Sequence, residues 1–160
     1  MKIGRTILVL LLPFLMGCDL ENPQNGGSIT TDFRLRDLTG IESYSFGSGD
    51  EFTMLLALTN QTKQTQAFAY GPPTVFFEIR IGDSLVCSSV DGLAFVQVVE
   101  RGTIEAGKTL AHEWRAPNSP ALPGRIVLQP GQYIARVSIG YSFDNFGVLP
   151  AKAIAFTVTQ

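Results

Sequence analysis

Two turn-then-strand units decide the fold of this chain: Ile104-Glu105-Ala106-Gly107-Lys108-Thr109-Leu110, which continues as a strand-like run to Trp114, and Leu128-Gln129-Pro130-Gly131-Gln132-Tyr133, which continues as an alternating run to Ile139. Gly107 has the freedom to take a positive φ and reverse the chain. Pro130-Gly131 suits the centre of a type II turn, with Pro at the second position and Gly at the third. The two units flank the only tryptophan, an arrangement typical of a small antiparallel β-sandwich that closes around its core.

Strand signals continue outward from these units in both directions. Residues 75–81 alternate and end at Gly82-Asp83, a two-residue hairpin signal. Residues 51–59 are apolar on both faces, which predicts a strand at the centre of a sheet. Turn signals recur along the chain, so we expect an immunoglobulin-like antiparallel β-sandwich of about eight or nine strands. The predicted strands are 33–36, 51–59, 66–70, 75–81, 84–90, 95–99, 108–114, 132–139 and 152–159.

The N-terminal stretch has the features of an export signal. A short basic segment with Lys2 and Arg5 precedes an apolar run, residues 7–16, which is too short to cross a bilayer. The run ends in Leu15-Met16-Gly17-Cys18, which resembles the bacterial lipobox recognised by the lipoprotein signal peptidase. That resemblance implies cleavage before Cys18 and a lipid on its thiol. An ordinary secretory signal with a chance cysteine is the alternative.

Three regions follow from this interpretation. Residues 1–17 are expected to be the signal peptide, 18–31 the lipidated cysteine and a flexible tether, and 32–160 the sandwich domain. The domain is then expected outside the cytoplasm of a bacterial cell, held to a membrane through lipid on Cys18. Which membrane carries it is left open. The chain bears a net charge of −2 and no basic run, so it lacks the electrostatic footprint of a nucleic-acid-binding protein.

Residues with catalytic chemistry are few in this sequence. His112 is the only histidine, and no serine lies in a Gly-x-Ser-x-Gly motif. No spaced cluster of cysteine, histidine and carboxylate predicts a metal site. If Cys18 carries lipid, Cys87 has no partner within the chain and is expected to be a small buried hydrophobic residue. The sequence therefore predicts a protein that is not an enzyme and uses no metal or cofactor, although a Ser–His–Asp set built from distant residues is left open.

Two loops are candidates for binding a partner. The first is 115–125, where Arg115 is followed by Pro117, Pro120 and Pro123, and prolines lower the entropy lost on binding. The second is 141–149, where Phe143 and Phe146 could anchor a partner if exposed. The alternatives are a plain crossover between sheets for the first loop and a lid on the core for the second.

An ordered set of short motifs resembles a known family. The set spans roughly residues 51–139 and comprises Leu56-Ala57-Leu58-Thr59-Asn60, Phe95-Val96-Gln97, Ile104-Glu105-Ala106-Gly107, Trp114 and Leu128-Gln129-Pro130-Gly131-Gln132-Tyr133. It resembles the BsuPI-type intracellular proteinase inhibitor domain. The resemblance implies a sandwich and, by name, proteinase inhibition. Cys87 stands near a place where that family often has tryptophan, and the export signal differs from an intracellular location. A structural or assembly module of an envelope complex is the alternative, as is a glycan-binding sandwich, which the single tryptophan disfavours.

Overall fold

A computed structural model of the chain describes residues 27–118, 121 and 124–160. These residues form twelve β-strands. The longer strands are β1 Ile29–Arg36, β3 Phe52–Asn60, β4 Gln66–Tyr70, β5 Val75–Ile81, β6 Ser84–Ser88, β7 Glu100–Ile104, β8 Thr109–Ala116, β9 Gly131–Ile139 and β12 Lys152–Thr159. Three short strands complete the set: β2 Ser45–Gly47, β10 Ser142–Phe143 and β11 Gly147–Val148. The all-β prediction is therefore confirmed.

The strands form three hydrogen-bonded sheets of order β1-β3-β8, β11-β10-β4-β7 and β2-β12-β9-β5-β6. All neighbouring strands are antiparallel except β12 and β2. The first sheet packs on the third, as the ring of Phe33 in β1 lies 6.3 Å from that of Phe77 in β5. Trp114 in β8 also faces Phe77, at 6.5 Å. The result is the predicted β-sandwich with one shared hydrophobic core.

Alternation explains why the C-terminal strands form. In β9, four residues spaced two apart are buried and the residues between them are mostly exposed; the buried ones are Tyr133, Ala135, Val137 and Ile139. β3 differs because its even-numbered residues are buried while those between them are mostly half-buried, and it lies between β1 and β8 as a central strand should. Its Phe52 packs in the core on Phe46 and Phe156, with ring centroids 4.2 and 5.2 Å away.

The turns match the expectations in part. Gly107 has a φ of 72°, and Lys108 N–H donates to Glu105 C=O at 3.1 Å, so the predicted reversal is confirmed. The two-residue link between β5 and β6 is confirmed as well. The type II turn at Pro130-Gly131 is wrong, because Gly131 is not among the glycines with positive φ and already begins β9.

Two boundaries also need correction. Residues 95–99 are not a strand, because they pair with no neighbour; the strand in this region, β7, begins at Glu100 and pairs with β4. The domain begins earlier than residue 32, because β1 starts at Ile29, opposite Asn60 of β3. Residues 29–31 therefore belong to the first sheet and not to a tether.

Candidate protein-binding surface

A run of exposed apolar residues connects β6 to β7. We call residues 93–99 the apolar strip. Val96 and Val99 are 77% and 80% exposed, and Phe95 is 40% exposed. Leu93 and Val98 are exposed as well. Contiguous exposed apolar side chains are uncommon on soluble domains outside interaction sites, so the strip is a candidate docking surface. The sequence analysis did not identify it, because 95–99 was predicted to be a strand.

A shallow groove of about 460 Å³ lies between this strip and strand β8. We call it the Trp114 groove. It is lined by His112, Glu113 and Trp114 of β8 and by Leu93 and Phe95 of the strip. The remaining lining residues are Pro72, Pro73, Thr74, Val75, Phe77, Ser89 and Val90. Glu113 is the only acidic or basic residue in the lining apart from the histidine, so the groove is mainly apolar.

The single histidine is already engaged at this site. His112 Nε2 and the hydroxyl of Tyr141 are 2.9 Å apart, and burial lowers the pKa of the imidazole below its ordinary value. Burial, with a smaller contribution from Tyr70, raises the pKa of Tyr141. At neutral pH both groups are therefore uncharged. A tyrosine occupies the position at Nε2 that a serine nucleophile would need in a Ser–His–Asp set.

Cys87 lies where the sequence placed it, in the core. It is 1% exposed, and burial together with Asp91 raises the pKa of its thiol to about 12. A thiol with such a pKa is protonated at neutral pH, which makes it a poor nucleophile and metal ligand. In the residues that the structure describes, no group of three or more His, Cys, Asp or Glu side chains is placed to hold a metal ion.

The first candidate loop is shorter than expected at its start. Arg115 belongs to β8, where its guanidinium forms an ion pair with Glu51 at 2.5 Å. Pro117 follows a cis peptide bond and is fully buried, so it cannot contact a partner as proposed from the sequence. Pro120 and Pro123 lie outside the described residues.

Asn118 holds the two sides of this loop together. Its carbonyl accepts a hydrogen bond from Trp114 Nε1 at 2.9 Å. Its side-chain amide donates to Glu51 Oε1 at 3.0 Å and accepts from the N–H of Ile126 at 2.9 Å. Arg125 donates to the carbonyl of Gly49. The stem of the loop, 117–118 and 124–126, is therefore fixed to the turn before β3.

Sequence reasoning missed Asn118. The available signal was its residue type, because asparagine often closes loops through backbone hydrogen bonds. One of its side-chain partners, Glu51, is 67 residues away in sequence, and no local pattern reveals that pairing.

The two aromatic residues of the second loop have different environments. Phe143 is 1% exposed and packs on Phe68 at 5.3 Å, so the prediction that it anchors a partner is wrong. Its ring is directed inward because β10 pairs with β4 above the core. Phe146 is 39% exposed at the turn between β10 and β11 and stays available.

The signal-peptidase residues Leu15, Met16 and Gly17 and the lipid-attachment residue Cys18 lie outside the described part of the chain. Among the residues that are described, no helix is long and apolar enough to cross a membrane. Lipidation of Cys18 therefore stays a prediction.

Comparison with known proteins identifies no family. No family model matches the chain, and no curated protein matches it. Solved structures with a similar arrangement share little sequence. A β-glucosidase from Listeria innocua in complex with glucose has a TM-score of 0.43 and 10% identity, over 84% of this chain but 16% of the enzyme.

Two smaller proteins are similar to the same degree. The CARDB domain of the PF1109 protein from Pyrococcus furiosus has a TM-score of 0.42 and 9% identity, over 84% of this chain and 90% of that one. Spo0M, a sporulation control protein from Bacillus subtilis, has a TM-score of 0.39 and 11% identity, over 84% of this chain and 50% of its own.

Proposed function

We propose that this chain is a lipid-anchored, non-catalytic protein-binding domain of the bacterial cell envelope. The observation that carries the proposal is the apolar strip beside the Trp114 groove. Val96 and Val99, each more than three-quarters exposed, would be covered by a partner protein. The neutral His112–Tyr141 pair and the protonated Cys87 thiol suit a binding domain better than an enzyme.

The geometry of the first sheet agrees with an anchor at one end and a binding loop at the other. The chain enters β1 at Ile29, which pairs with Asn60, whereas β8 ends at Ala116, which pairs with Phe52. Eight residues separate Cys18 from Gly27, a reach of about 30 Å when extended. A lipid on Cys18 would therefore hold the Asn60 end nearest the membrane, with the stem of the 115–125 loop at the opposite end of the sheet.

We propose proteinase inhibition as the specific activity of this domain. The resemblance to the BsuPI-type inhibitor motifs suggests it, and the stem formed by Asn118 supports it. A substrate-like inhibitor gains affinity when its loop is held in the bound conformation before association. Asn118 joins Trp114, Glu51 and Ile126, which ties the two sides of the loop to each other, to β8 and to the turn before β3.

The test is a titration of the full chain, extracted in detergent, against a panel of serine proteases while residual activity is followed. We expect stoichiometric inhibition of at least one member with the domain left uncleaved. Asn118→Ala should weaken that inhibition by tenfold or more, because two hydrogen bonds that brace the loop are lost. Asn145→Ala is the matched control, since Asn145 bonds Gln66 far from the loop in sequence.

A second outcome would favour an assembly module of an envelope complex. In that case no protease is inhibited, yet a photo-cross-linker at residue 96 captures one defined envelope protein. Val99→Asp should abolish the cross-link from residue 96 without unfolding the domain, because an 80% exposed side chain contributes little to the core. If no protease is inhibited and no partner is captured at the strip, the protein-binding proposal is refuted.

A further inference from the structure

Strand β8 lies at one edge of its sheet. Within the described residues its only strand neighbour is β3, and the register runs without a shift from Thr109 opposite Thr59 to Ala116 opposite Phe52. Edge strands carry unpaired backbone groups, and many proteins interrupt such edges with proline or a bulge. β8 has neither between its first and last residue. It is a regular edge eight residues long.

The backbone hydrogen bonds show which residues of β8 face outward. Asn60 N–H donates to Lys108 C=O at 2.9 Å, and Gly107 N–H donates to Asn60 C=O at 2.8 Å. In an antiparallel ladder, the backbone groups of successive residues point alternately toward the neighbouring strand and away from it. The bonds of Asn60 therefore imply that the even-numbered residues of β8 bond β3 and the odd-numbered ones point away. The other neighbour of β3 gives the same alternation. Gln61 N–H donates to the C=O of Ser28, the residue before β1, at 2.9 Å, so the odd-numbered residues of β3 bond β1 and the even-numbered ones bond β8. The N–H and C=O groups of Ala111 and Glu113 therefore point to the open edge.

The Trp114 groove runs beside this open edge. A strand added to β8 would lie about 4.8 Å from it, and its side chains would alternate between the two faces of the sheet. Those on the inner face would enter the groove, where Phe77, Phe95 and Trp114 offer apolar contacts. Those on the outer face would pass the carboxylate of Glu113, which has no ion pair among the described residues.

We propose that the outer edge of β8 binds an extended peptide segment of a partner protein by adding it as a strand. The segment carries apolar residues at alternate positions and a lysine or arginine that meets Glu113. Backbone hydrogen bonds to Ala111 and Glu113 supply part of the affinity, and the groove selects the side chains. Charge complementarity with the carboxylate of Glu113, on the outer face of the sheet, selects the basic residue. This inference rests on the protein-binding function proposed above and names the form of the partner.

The test uses the full chain in detergent and a fluorescein-labelled seven-residue peptide with valine at alternate positions and a central lysine. Anisotropy measures its dissociation constant. Replacing the lysine by glutamate should weaken binding by about tenfold, because an attraction becomes a repulsion. N-methylation of the amides on one edge of the peptide should weaken it by tenfold or more while its side chains stay the same.

Two protein variants locate the binding edge. Ala111→Pro removes an outward N–H and leaves the β3 ladder intact, so it should weaken peptide binding by tenfold or more. Thr31→Pro makes the same change at the other edge of the sheet and should leave binding unchanged. Glu113→Lys should reverse the preference, so that the glutamate peptide binds more tightly than the lysine peptide. Circular dichroism confirms that each variant is folded.

Several results would overturn the inference. These are no binding of the peptide, binding that is insensitive to N-methylation, or equal effects of the two proline variants. If Ala111→Pro instead turns a dimer into a monomer in sedimentation, the edge takes a second copy of this chain and the peptide proposal is wrong. Cross-linking at residue 96 tests the wider protein-binding function separately: a partner captured there with no edge dependence would leave that function standing and refute only strand addition.

Discussion

Replacing Asn60 by aspartate should make the stability of the domain depend strongly on pH. Asn60 is fully buried at the end of β3. Its side-chain N–H groups donate to the carbonyls of Gln64 at 2.8 Å and Ile104 at 2.9 Å. Its side-chain oxygen accepts from the N–H of Thr62 at 2.9 Å and the Thr62 hydroxyl at 2.7 Å. Asn60→Asp keeps the two acceptor bonds and removes both donors.

The expected loss follows from these contacts. Two neutral hydrogen bonds contribute about 1 kcal/mol each. The buried carbonyl of Ile104 then lacks its side-chain donor and the new carboxylate is buried beside it, which adds about 2 kcal/mol or more. We expect Asn60→Asp to lose about 4 kcal/mol at pH 7.5. Neighbouring carbonyls disfavour the charged form, so the carboxyl pKa is raised in the folded state. Stability should therefore recover as the pH falls, and be lost again as it rises through that pKa.

Urea unfolding followed by fluorescence of Trp114, the only tryptophan, measures this effect at pH 7.5 and 4.5. Asn145→Asp is the control, because Asn145 is exposed and its side-chain N–H donates to Gln66 Oε1 at 2.8 Å. It should lose less than about 1 kcal/mol. The reasoning is refuted if Asn60→Asp loses less than about 1 kcal/mol at pH 7.5, or if its deficit grows on acidification relative to the wild-type chain.

Four further predictions follow from single contacts. Cys87 should resist alkylation at pH 8 in the folded domain and react on unfolding, because its thiol pKa is about 12; labelling as fast as in urea would contradict its burial. The pKa of His112 is lowered by burial, so the folded state binds fewer protons and stability should fall as the pH drops below about 6.5, less steeply in His112→Gln. Gly102→Ala should lower the urea midpoint, at a cost of about 1–3 kcal/mol, because a Cβ there would lie 2.7 Å from the buried ring of Phe68; an unchanged midpoint would mean that this ring can move aside. Cys18→Ser should leave an unprocessed precursor without acyl label, and normal labelling would rule out the lipobox interpretation.

The main strands could be predicted because each carries its own signal. The predicted limits 66–70, 75–81 and 152–159 match β4, β5 and β12. In these segments alternation coincides with burial on one face, and the flanking glycine, proline and polar residues end the strand. The apolar character of both faces of 51–59 likewise reports the central position of β3, which lies between β1 and β8.

Prediction failed where the outcome depends on partners distant in sequence. Residues 95–99 have the composition of a strand, but a strand also needs a neighbour. In this region the chain pairs with β4 only from Glu100 onward, in β7. Phe143 lies in a segment that reads as a loop, yet pairing of β10 with β4 turns its ring into the core. The candidate surface was missed for the same reason, since the strip becomes visible only once 95–99 is known to be unpaired.

Strand β8 connects the separate proposals physically. It begins beside Asn60, at the same end of the sheet as the start of β1, and finishes at the stem of the 115–125 loop. Trp114 contributes to two surfaces at once, because it lines the groove while its Nε1 holds Asn118. β8 is supported along its length by β3, which is buried on one face and mostly half-buried on the other. A partner that added a strand to β8 would therefore meet a supported strand and reach the stem of the 115–125 loop at the far end of β8. That geometry favours one extended interface over several unrelated sites.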